Sequence, residues 1–455
     1  MVKTKQARLD WLIVGGGPHG VHMANCLLDR GVALDKITIL DPNARPLARW
    51  NHHTRNAGMT HLRSPEVHNL DIDPLSMGAH AKSEAFITSK HEQRGGDSGD
   101  ESDFIPPYSR PSLRLFAHHV QSIIEKTGSM RCWRTGRACS VNAIENGYLV
   151  STEAGDQIEA ANVVLALGMG DQPRWPVWAG RLKSRDGQAG IHHIFAPEFR
   201  REGIDEHHDV VIVGAGISAA QLALSLLDVN PKRRVSIVSR HYLKKEDIDS
   251  DPGWLGPALL EKFAVIKNYA KRRSMIQEAR NRGSLASEVM QNLQGAIQEE
   301  AIRWELAEID SVSREAAGRK WLLQIRYFVL DEAEYAKTGE IVSKLSDEAQ
   351  TLKADAVILA TGFEAKRPGG AFVDDAIESM TLPTAEDGFP IVDRHLRWRE
   401  GLFVMGPLAE LEVGPVSRNI SGARMAAERI IESPEANPRA LKLHGVPPDA
   451  SMLQG

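Results

Sequence analysis

Two stretches of the chain repeat the same pattern of apolar and polar positions. In each, a short apolar run leads into closely spaced glycines and then into a segment with helical periodicity; the runs are 11–14 and 210–213. A second apolar run follows each helical segment, at 37–40 and at 235–238. Continuous apolar runs are typical of strands that are buried on both faces of a parallel sheet. The pattern therefore predicts an α/β chain with two βαβ units, each opening a Rossmann-like dinucleotide-binding fold.

The first glycine turn has the spacing Gly15-x-Gly17-x-x-Gly20 and lies between a strand and a helix. The first glycine permits the turn, the second lets a pyrophosphate approach the backbone, and the third allows close packing of helix and strand. Asp41 ends the second strand of this unit. A carboxylate at that position suits a ribose diol, as in the adenosine half of FAD.

The second glycine turn contains Gly214 and Gly216, and Arg240 stands where Asp41 stands in the first unit. An arginine cannot accept a hydrogen bond from a 2′-hydroxyl, but it can pair with a 2′-phosphate. The second unit is therefore predicted to prefer NADPH over NADH, with an ordinary surface arginine as the alternative. Ser218 lies at the helix start, where it can cap the helix, contact a phosphate, or do both.

Two further apolar runs, 163–167 and 356–360, each end in a glycine turn and predict two more buried strands. We assign the later turn, which contains Thr361 and Gly362, to the first fold, together with the loop at Gly406. The NADPH-binding fold is then expected to be an insertion between two halves of the FAD-binding fold.

This assignment predicts an FAD-binding domain over 1–175 and 351–455 and an NAD(P)H-binding domain over 176–350. The stretch of about 254–306 has helical periodicity and few breakers, so a helical insertion in the second domain is expected there. The basic run 271–273 within it is interpreted as a solvated helix face.

Composition excludes several other classes of protein. The 455 residues carry a formal net charge of −5, which argues against a surface that binds nucleic acid. The three cysteines include no Cys-x-x-Cys pair, so a disulfide scaffold, a zinc site and a dithiol redox centre are all disfavoured. No metal site is expected. No apolar run reaches the roughly 18 residues of a membrane span, so a cytoplasmic protein is expected; whether it forms a homo-oligomer stays open.

Several segments together resemble the class B flavin monooxygenases, above all the N-hydroxylating lysine and ornithine N-monooxygenases. Segment 50–59 is similar to the tryptophan-containing segment of that family near the flavin ring, and 107–111 is similar to its Pro-x-Arg segment. The turn 360–362 resembles its Ala-Thr-Gly-Tyr turn, and 402–407 with 414–415 resembles the strand and loop that close over the FAD. The resemblance covers most of the chain and implies a flavoprotein with two dinucleotide-binding domains.

The family chemistry implied by this resemblance is an FAD-dependent, NADPH-consuming monooxygenation of a small molecule by O2 through a C4a-hydroperoxyflavin, with N-hydroxylation of an amine as one such reaction. We expect Trp50, His53 and Met59 near the flavin ring, with core packing as the alternative for each, and we name Arg63 and His61 as candidates for substrate binding. The residues expected to bind the two cofactors are Gly15, Gly17, Pro18, His19, Gly20, Asp41, Trp50, Gly168, Gly214, Gly216, Ile217, Ser218, Arg240, Thr361, Gly362, Gly406 and Pro407.

The chain departs from the ornithine hydroxylases at the amino-acid site. Their lysine has no counterpart in 59–75, where this chain offers His61, Arg63 and His68, and their asparagine has none in 254–260. Ornithine or lysine therefore does not follow as the substrate.

Two other functions remain open at this point. A flavin dehydrogenase or reductase that passes electrons to a quinone or a partner protein would use the same two folds. A sensor that binds FAD and NADPH without turnover would also keep both glycine turns.

Overall fold

The computed structural model describes residues 8–93, 102–183, 190–204, 209–315, 320–330 and 343–436. Its strands are β1 Leu9–Val14, β2 Ile37–Asp41, β3 Phe104–Ile105, β4 Arg110–Pro111, β5 Trp133–Thr135, β6 Ala138–Ile144, β7 Gly147–Thr152, β8 Gln157–Leu165, β9 Ile191–His193, β10 Asp209–Val213, β11 Arg234–Ser239, β12 Lys244–Lys245, β13 Ser284–Leu285, β14 Ile302–Arg314, β15 Trp321–Leu330, β16 Ser343–Leu345, β17 Gln350–Ala354, β18 Ala356–Leu359, β19 Arg397–Arg399 and β20 Leu402–Val404. Its α-helices are α1 Pro18–Asp29, α2 Ala48–Ala57, α3 Ser76–His80, α4 Glu84–Gln93, α5 Leu113–Thr127, α6 Val177–Lys183, α7 Ile217–Val229, α8 Pro257–Ala264, α9 Tyr269–Ala279, α10 Ser287–Gln298, α11 Gly370–Met380, α12 Glu410–Val413 and α13 Ile420–Ile431.

The first sheet has the order β19-β20-β8-β1-β2-β5, with β7 and β6 continuing from β8 as an antiparallel meander. Its central strands are parallel, and Val14 at the end of β1 pairs with Leu40 on one side and Leu165 on the other. All of β1 except Asp10 and residues 162–165 of β8 are buried, as the continuous apolar runs predict. Their carboxyl ends therefore meet at one edge, where open α/β sheets bind ligands.

The second sheet has the order β16-β15-β14-β11-β10-β18-β9, and β17 also pairs with β15. Its nucleotide-binding half is parallel, because β10 pairs in parallel with β11 and with β18. The remaining strands form an antiparallel extension that starts at the long strand β14. Two Rossmann-like sheets are thus present in one chain, as the repeated pattern predicts.

One strand lies in a different sheet from the one that the sequence suggests. β18 pairs with β10 and β9, so the turn at Thr361 and Gly362 follows a strand of the second sheet. This strand, which follows the predicted boundary at residue 351, therefore belongs to the second sheet. The local pattern, a buried run ending in glycine, is the same in both sheets and does not identify the neighbour. The Gly406 loop does follow a strand of the first sheet, since β20 pairs with β8.

The predicted helical insertion contains three helices, but they do not form one unit with the second fold. Phe263 of α8 and Ile276 of α9 belong to the apolar core around the first sheet. Only α10 packs into the second core, through Met290 and Leu293. The predicted insertion also runs past its helices, because β14 begins at Ile302. The helices α8 and α9 thus bring the insertion against the first fold.

The basic run 271–273 is not the solvated face that the sequence suggests. Arg272 is buried and donates hydrogen bonds to the carbonyls of Leu411 and Ile266 and to the Glu412 carboxylate. Long basic side chains can lie on a packed helix face when their stems pack on apolar surface and their charged ends are hydrogen-bonded within the protein. Within the described part of the chain, none of the helices is long and apolar enough to cross a membrane.

Candidate active site

Glycine is required at the first and third positions of the Gly15-x-Gly17-x-x-Gly20 pattern, Gly15 and Gly20, because a side chain would collide with backbone atoms there. Gly15 has a φ of +112°, and a Cβ there would lie 2.4 Å from the carbonyl oxygen of Ala166. A Cβ on Gly20 would lie 1.9 Å from the Gly15 oxygen. A Cβ on Gly17 would meet nothing within 4 Å, so this glycine borders open space. Since α1 begins directly after Gly17 without a side-chain cap, its first-turn N–H groups fit a pyrophosphate.

Asp41 lies at the end of β2, beside this turn, and its carboxylate organises the loop. It accepts hydrogen bonds from the backbone N–H of Gly16 at 2.7 Å and from both the backbone and the side-chain amide of Asn43 at 2.8 Å. Two carboxylate oxygens offer about four acceptor sites, so further hydroxyl donors can be bound. Gly168, just beyond the end of β8, also borders open space. These features fit the adenosine diphosphate part of FAD.

The second glycine turn repeats this geometry at the end of β10. Gly214 has a φ of +131°, and a Cβ there would lie 2.6 Å from a backbone oxygen of the neighbouring crossover. Gly216 precedes α7, whose first residues are Ile217 and Ser218, and it supplies no side-chain cap. A Cβ on Gly216 would come within 3.5 Å of the Gly283 Cα. The loop at Gly283 therefore adjoins this second phosphate-binding turn.

Arg240 follows β11 at the edge where the second nucleotide is expected. Its side chain is half exposed, and its nearest carboxylate is that of Glu308, at 3.8 Å. The exposed ring of Tyr242 lies nearby on the same loop, with its centroid 6.1 Å from that of Trp304. A guanidinium and an aromatic ring in this position are suited to a phosphate and a base.

The chain passes between the two folds twice, near residues 172–174 and near 361–364, and these two segments are hydrogen-bonded to each other. The Arg174 N–H donates to the Gly362 carbonyl, and the Glu364 N–H donates to the Gln172 carbonyl, each at 2.9 Å. The Thr361 hydroxyl donates to the Arg174 carbonyl. The contacts that Thr361 and Gly362 make in the structure thus hold the junction between the folds together.

The three residues expected near the flavin ring occupy different surroundings. The Trp50 ring packs on Phe116 with centroids 4.9 Å apart. The His53 ring packs on Phe195, also at 4.9 Å, and burial is the main cause that lowers the His53 pKa to about 4. Met59 lies two residues beyond the end of α2 and donates its N–H to the Thr54 carbonyl. Trp50 and His53 line one cavity, whereas Met59 is not among its lining residues.

That cavity, of about 800 Å³, runs along α2 from the loop after Asp41 to the junction of the folds. Its size is within the range of ligand sites. Its lining is partly basic and partly apolar; the lining residues include Asn43, Arg45, Arg49, Trp50, His53, Arg55, Phe116, Val120, Ile124, Phe195 and Arg200. This mixture suits a ligand with both phosphates and an aromatic system.

The C-terminal loop locks onto the first glycine turn. Gly406 has a φ of +63°, and a Cβ there would lie 3.6 Å from the His19 ring. The Nε2–H of His19 donates to the Ser417 carbonyl at 2.9 Å, and burial lowers the His19 pKa to about 4. Pro407 is buried in the short 3-10 helix that follows Gly406. Neutral His19 therefore connects two segments expected to bind FAD.

Arg63, a candidate for substrate binding, is hydrogen-bonded to the second fold. Its guanidinium donates to the Asp249 carboxylate at 2.7 Å, the Glu246 carbonyl at 2.6 Å and the Ser284 hydroxyl at 3.0 Å. These contacts favour a role in positioning the loop 246–249. The Nε2–H of His61 similarly donates to the Ser102 carbonyl at 2.8 Å, so His61 holds the backbone that precedes β3.

A smaller cavity of about 70 Å³ lies between the folds. Its walls come from the segment after α2, the β3–β4 turn, the loop before α8 and the segment that leads into α13; they include Arg63, His68, Tyr108, Ser250, Val416 and Asn419. Sequence reasoning missed a group of arginines beside it, among them Arg280, Arg282 and Arg418, which surround buried Glu410. The available signal was a basic region, 271–282, that has few acidic residues.

Two glycine-turn nucleotide folds that meet at a shared junction define the class of two-dinucleotide-binding flavoproteins. A family model described as FAD-NAD(P)-binding matches residues 12–170. The model described as L-lysine 6-monooxygenase/L-ornithine 5-monooxygenase matches 137–365, half of the chain. The chain therefore belongs to the lysine/ornithine monooxygenase family, and it is an FAD- and NAD(P)H-dependent oxidoreductase of the monooxygenase class.

Individual relatives agree with this placement. The chain is 25% identical to the indole-3-pyruvate monooxygenase YUCCA6 of Arabidopsis thaliana, over 92% of this chain and 89% of the relative. The solved ornithine N-hydroxylase KtzI of Kutzneria sp. 744 superposes with a TM-score of 0.70 at 16% identity, covering 95% of this chain and 100% of that one. The L-lysine 6-monooxygenase of Pseudomonas syringae gives a TM-score of 0.67 at 19% identity with the same coverage. The solved structures support the fold at these identities.

Proposed function

We propose that the protein uses NADPH and O2 to oxygenate a nucleophilic nitrogen of a small amine at the junction of its two folds. The observation that carries this proposal is the pair of uncapped helix starts at Gly17 and Gly216, each directly after a strand of a separate parallel sheet. Bound FAD supplies hydride uptake from NADPH and activation of O2. The family membership supports an amine as the group that is oxygenated.

We assign FAD to the first turn, with Asp41 on the ribose, and NADPH to the second turn, with Arg240 on the 2′-phosphate. The wide cavity along α2 is our candidate for part of the FAD site, with Trp50 and His53 beside the bound cofactor. His53 contributes shape and exclusion of water there, because it is neutral at physiological pH.

We also propose a revised domain division. The FAD-binding domain comprises residues up to about 175 and resumes after the Thr361–Gly362 turn, because β18 belongs to the second sheet. The NADPH-binding domain lies between these limits, and α8 and α9 extend from it onto the first fold.

The test is a balance of NADPH, oxygen and product with a panel of primary amines that includes L-ornithine, L-lysine and cadaverine. A monooxygenase consumes one NADPH and one O2 for each hydroxylated amine. A reductase would instead consume NADPH without oxygen when a quinone is present. A sensor would leave NADPH unconsumed under both conditions, and either of these outcomes would contradict the proposal.

A further inference from the structure

The junction holds more positive than negative charge. Glu410 is fully buried, and it accepts hydrogen bonds from Arg418 at 2.7 and 3.0 Å and from Arg273. Arg280 reaches the same carboxylate only at 3.9 Å, although its side chain is just 16% exposed. Arg282 stands two residues further on. Several guanidinium groups are therefore grouped around the single carboxylate of Glu410.

Neighbouring acids do not balance this charge. Arg273 also contacts Asp387 at 2.5 Å, but its second terminal nitrogen, Nη2, is buried without a hydrogen-bond partner among the described residues. Burial, and after it the charge of Arg418, lowers the pKa of Arg280 to about 10. Burial and then the charges of Arg418, Arg273 and Arg174 lower the pKa of Arg282, despite Glu410. Several arginines thus share too little negative charge.

Burying positive charge without a partner is costly, and a guanidinium without an acceptor costs more still. Such a cluster is stable when an additional anion completes it. Arginine is well suited to carboxylates and phosphates, since its planar fork can bind two oxygens at once. The orphan Nη2 of Arg273 and the long Arg280–Glu410 contact are the donors that such an anion would engage.

The cluster lies between the two nucleotide-binding turns. Arg282 precedes Gly283, which adjoins Gly216 at the start of α7. Arg418 follows Ser417, whose carbonyl binds His19 of the first turn. Two arginines of the cluster are therefore next in the chain to residues that adjoin the two nucleotide-binding turns.

Residues that line the smaller cavity are backbone neighbours of this cluster. Ser250 lines that cavity and forms a β-bridge with Arg280. Val416 and Asn419, which flank Arg418 in the chain, line it as well. An anionic group bound by the arginines would thus belong to a molecule that lies at the junction.

We infer that Arg273, Arg280 and Arg282 form an anion-binding site that takes a carboxylate or phosphate group of a ligand at the junction of the two folds. The group belongs either to an acidic substrate or to NADPH. The substrate alternative rests on the proposed function. In it, the arginines take the place of the lysine and asparagine that the ornithine hydroxylases have and this chain lacks. Both sources share one chemistry, and separate measurements distinguish them.

The first experiment titrates inorganic phosphate and citrate into the FAD-loaded protein and into Arg282→Gln, with binding measured by calorimetry. Arg282 is only partly buried and is the most exposed of the three arginines, so this substitution is expected to leave the fold intact. We expect the affinity for at least one of the two anions to fall tenfold or more in Arg282→Gln and to be largely kept in Arg282→Lys. The control is Arg30→Gln, which removes an exposed arginine at the opposite end of α1 and is expected to bind as the original protein does.

Equal affinity of the original protein and Arg282→Gln for both anions would overturn the inference, as would an equal loss in Arg30→Gln. NADP⁺ binding then identifies the source. If NADP⁺ affinity also falls tenfold in Arg282→Gln, the anion is a cofactor phosphate; if it stays within twofold, the anion is the carboxylate or phosphate of a substrate. Failure of the proposed function would be seen separately, as a flavin that NADPH does not reduce in the original protein while anion binding persists.

Discussion

Asp41 is the last residue of β2 and Arg240 directly follows the equivalent strand β11, but the two side chains make different contacts. Asp41 accepts hydrogen bonds from Gly16 and Asn43, so it is fixed in the first turn. Among the described residues, Arg240 has a carboxylate partner in Glu308, at 3.8 Å, and it remains half exposed. An arginine held this loosely can turn toward a phosphate with little loss of existing contacts. The difference between the two nucleotide sites is thus concentrated in single residues.

Replacing Arg240 with Ala tests this difference. We expect the ratio of kcat/KM for NADPH to that for NADH to fall tenfold or more, because a hydrogen bond to a charged group contributes about 1.5–3 kcal/mol. Steady-state kinetics with both coenzymes measures the ratio, and Arg30→Ala is the control. An unchanged ratio in Arg240→Ala would show that the 2′-phosphate is bound elsewhere.

His22 gives the fold a dependence on pH. The side chain is buried in α1, its Nδ1–H donates to the Leu70 carbonyl, and burial is the largest cause that lowers its pKa from 6.5 to about 4. A depressed histidine pKa stabilises the folded state above the unfolded-state pKa, and this stabilisation is lost as the pH falls. His22 therefore destabilises the protein between about pH 6.5 and pH 4.

We expect His22→Gln to lower stability at pH 7 but to flatten its pH dependence. Between pH 6.5 and 5 the slope of the free energy of unfolding should decrease by up to about 1.4 kcal/mol per pH unit, the value for one proton. Urea unfolding at several pH values measures the slope, with the exposed His241→Gln as control. Equal slopes for His22→Gln and the original protein would contradict this account.

At the level of elements, the turn between β1 and α1 needs glycine for two different reasons, the fold at Gly15 and ligand binding at Gly17. Gly15 needs its positive φ and its close approach to Ala166, so a side chain there would disturb the fold. Gly17 has an ordinary φ of −75° and no atom within 4 Å of a Cβ. Its lack of a side chain serves the approach of a ligand to the start of α1.

Gly17→Ala should therefore fold normally and lose FAD. We expect the purified variant to keep its circular dichroism spectrum but to hold at most a tenth of the FAD per chain, as measured by flavin absorbance after gel filtration. Gly180→Ala is the matched control, because a Cβ there also meets nothing within 4 Å and it lies on α6, away from both turns. Full FAD content in Gly17→Ala would show that the FAD pyrophosphate does not bind at this turn.

The elements show what the sequence could and could not reveal. The buried strands and glycine turns follow from local patterns, and the structure contains them where the patterns predict. The sheet of β18 and the contacts of α8 and α9 depend on distant partners, as does the carboxylate that binds Arg63. Glu410 lies more than a hundred residues from Arg273 and Arg280 in the chain, so no local spacing brings these three residues together.

At the scale of the whole molecule, two polar contacts fix the folds against each other. Arg110 is fully buried beside β3 and donates to both carboxylate oxygens of Glu288 on α10, at 2.6 and 3.0 Å. Arg63 binds the loop that carries Asp249. Bidentate contacts of this kind combine strength with a defined orientation. The junction is therefore a built interface, which suits transfer between two bound cofactors.

The most direct test is whether NADPH bound to the second fold reduces FAD bound to the first fold, and whether O2 then reoxidises that FAD. FAD-loaded protein is mixed with NADPH in the absence of oxygen, the visible flavin absorbance is followed, and oxygenated buffer containing an amine is then added. We expect NADPH to bleach the flavin and oxygen to restore it, with one hydroxylated amine formed per NADPH when the amine is a substrate. A flavin that neither NADPH nor NADH bleaches would contradict the central claim that the second fold feeds the first.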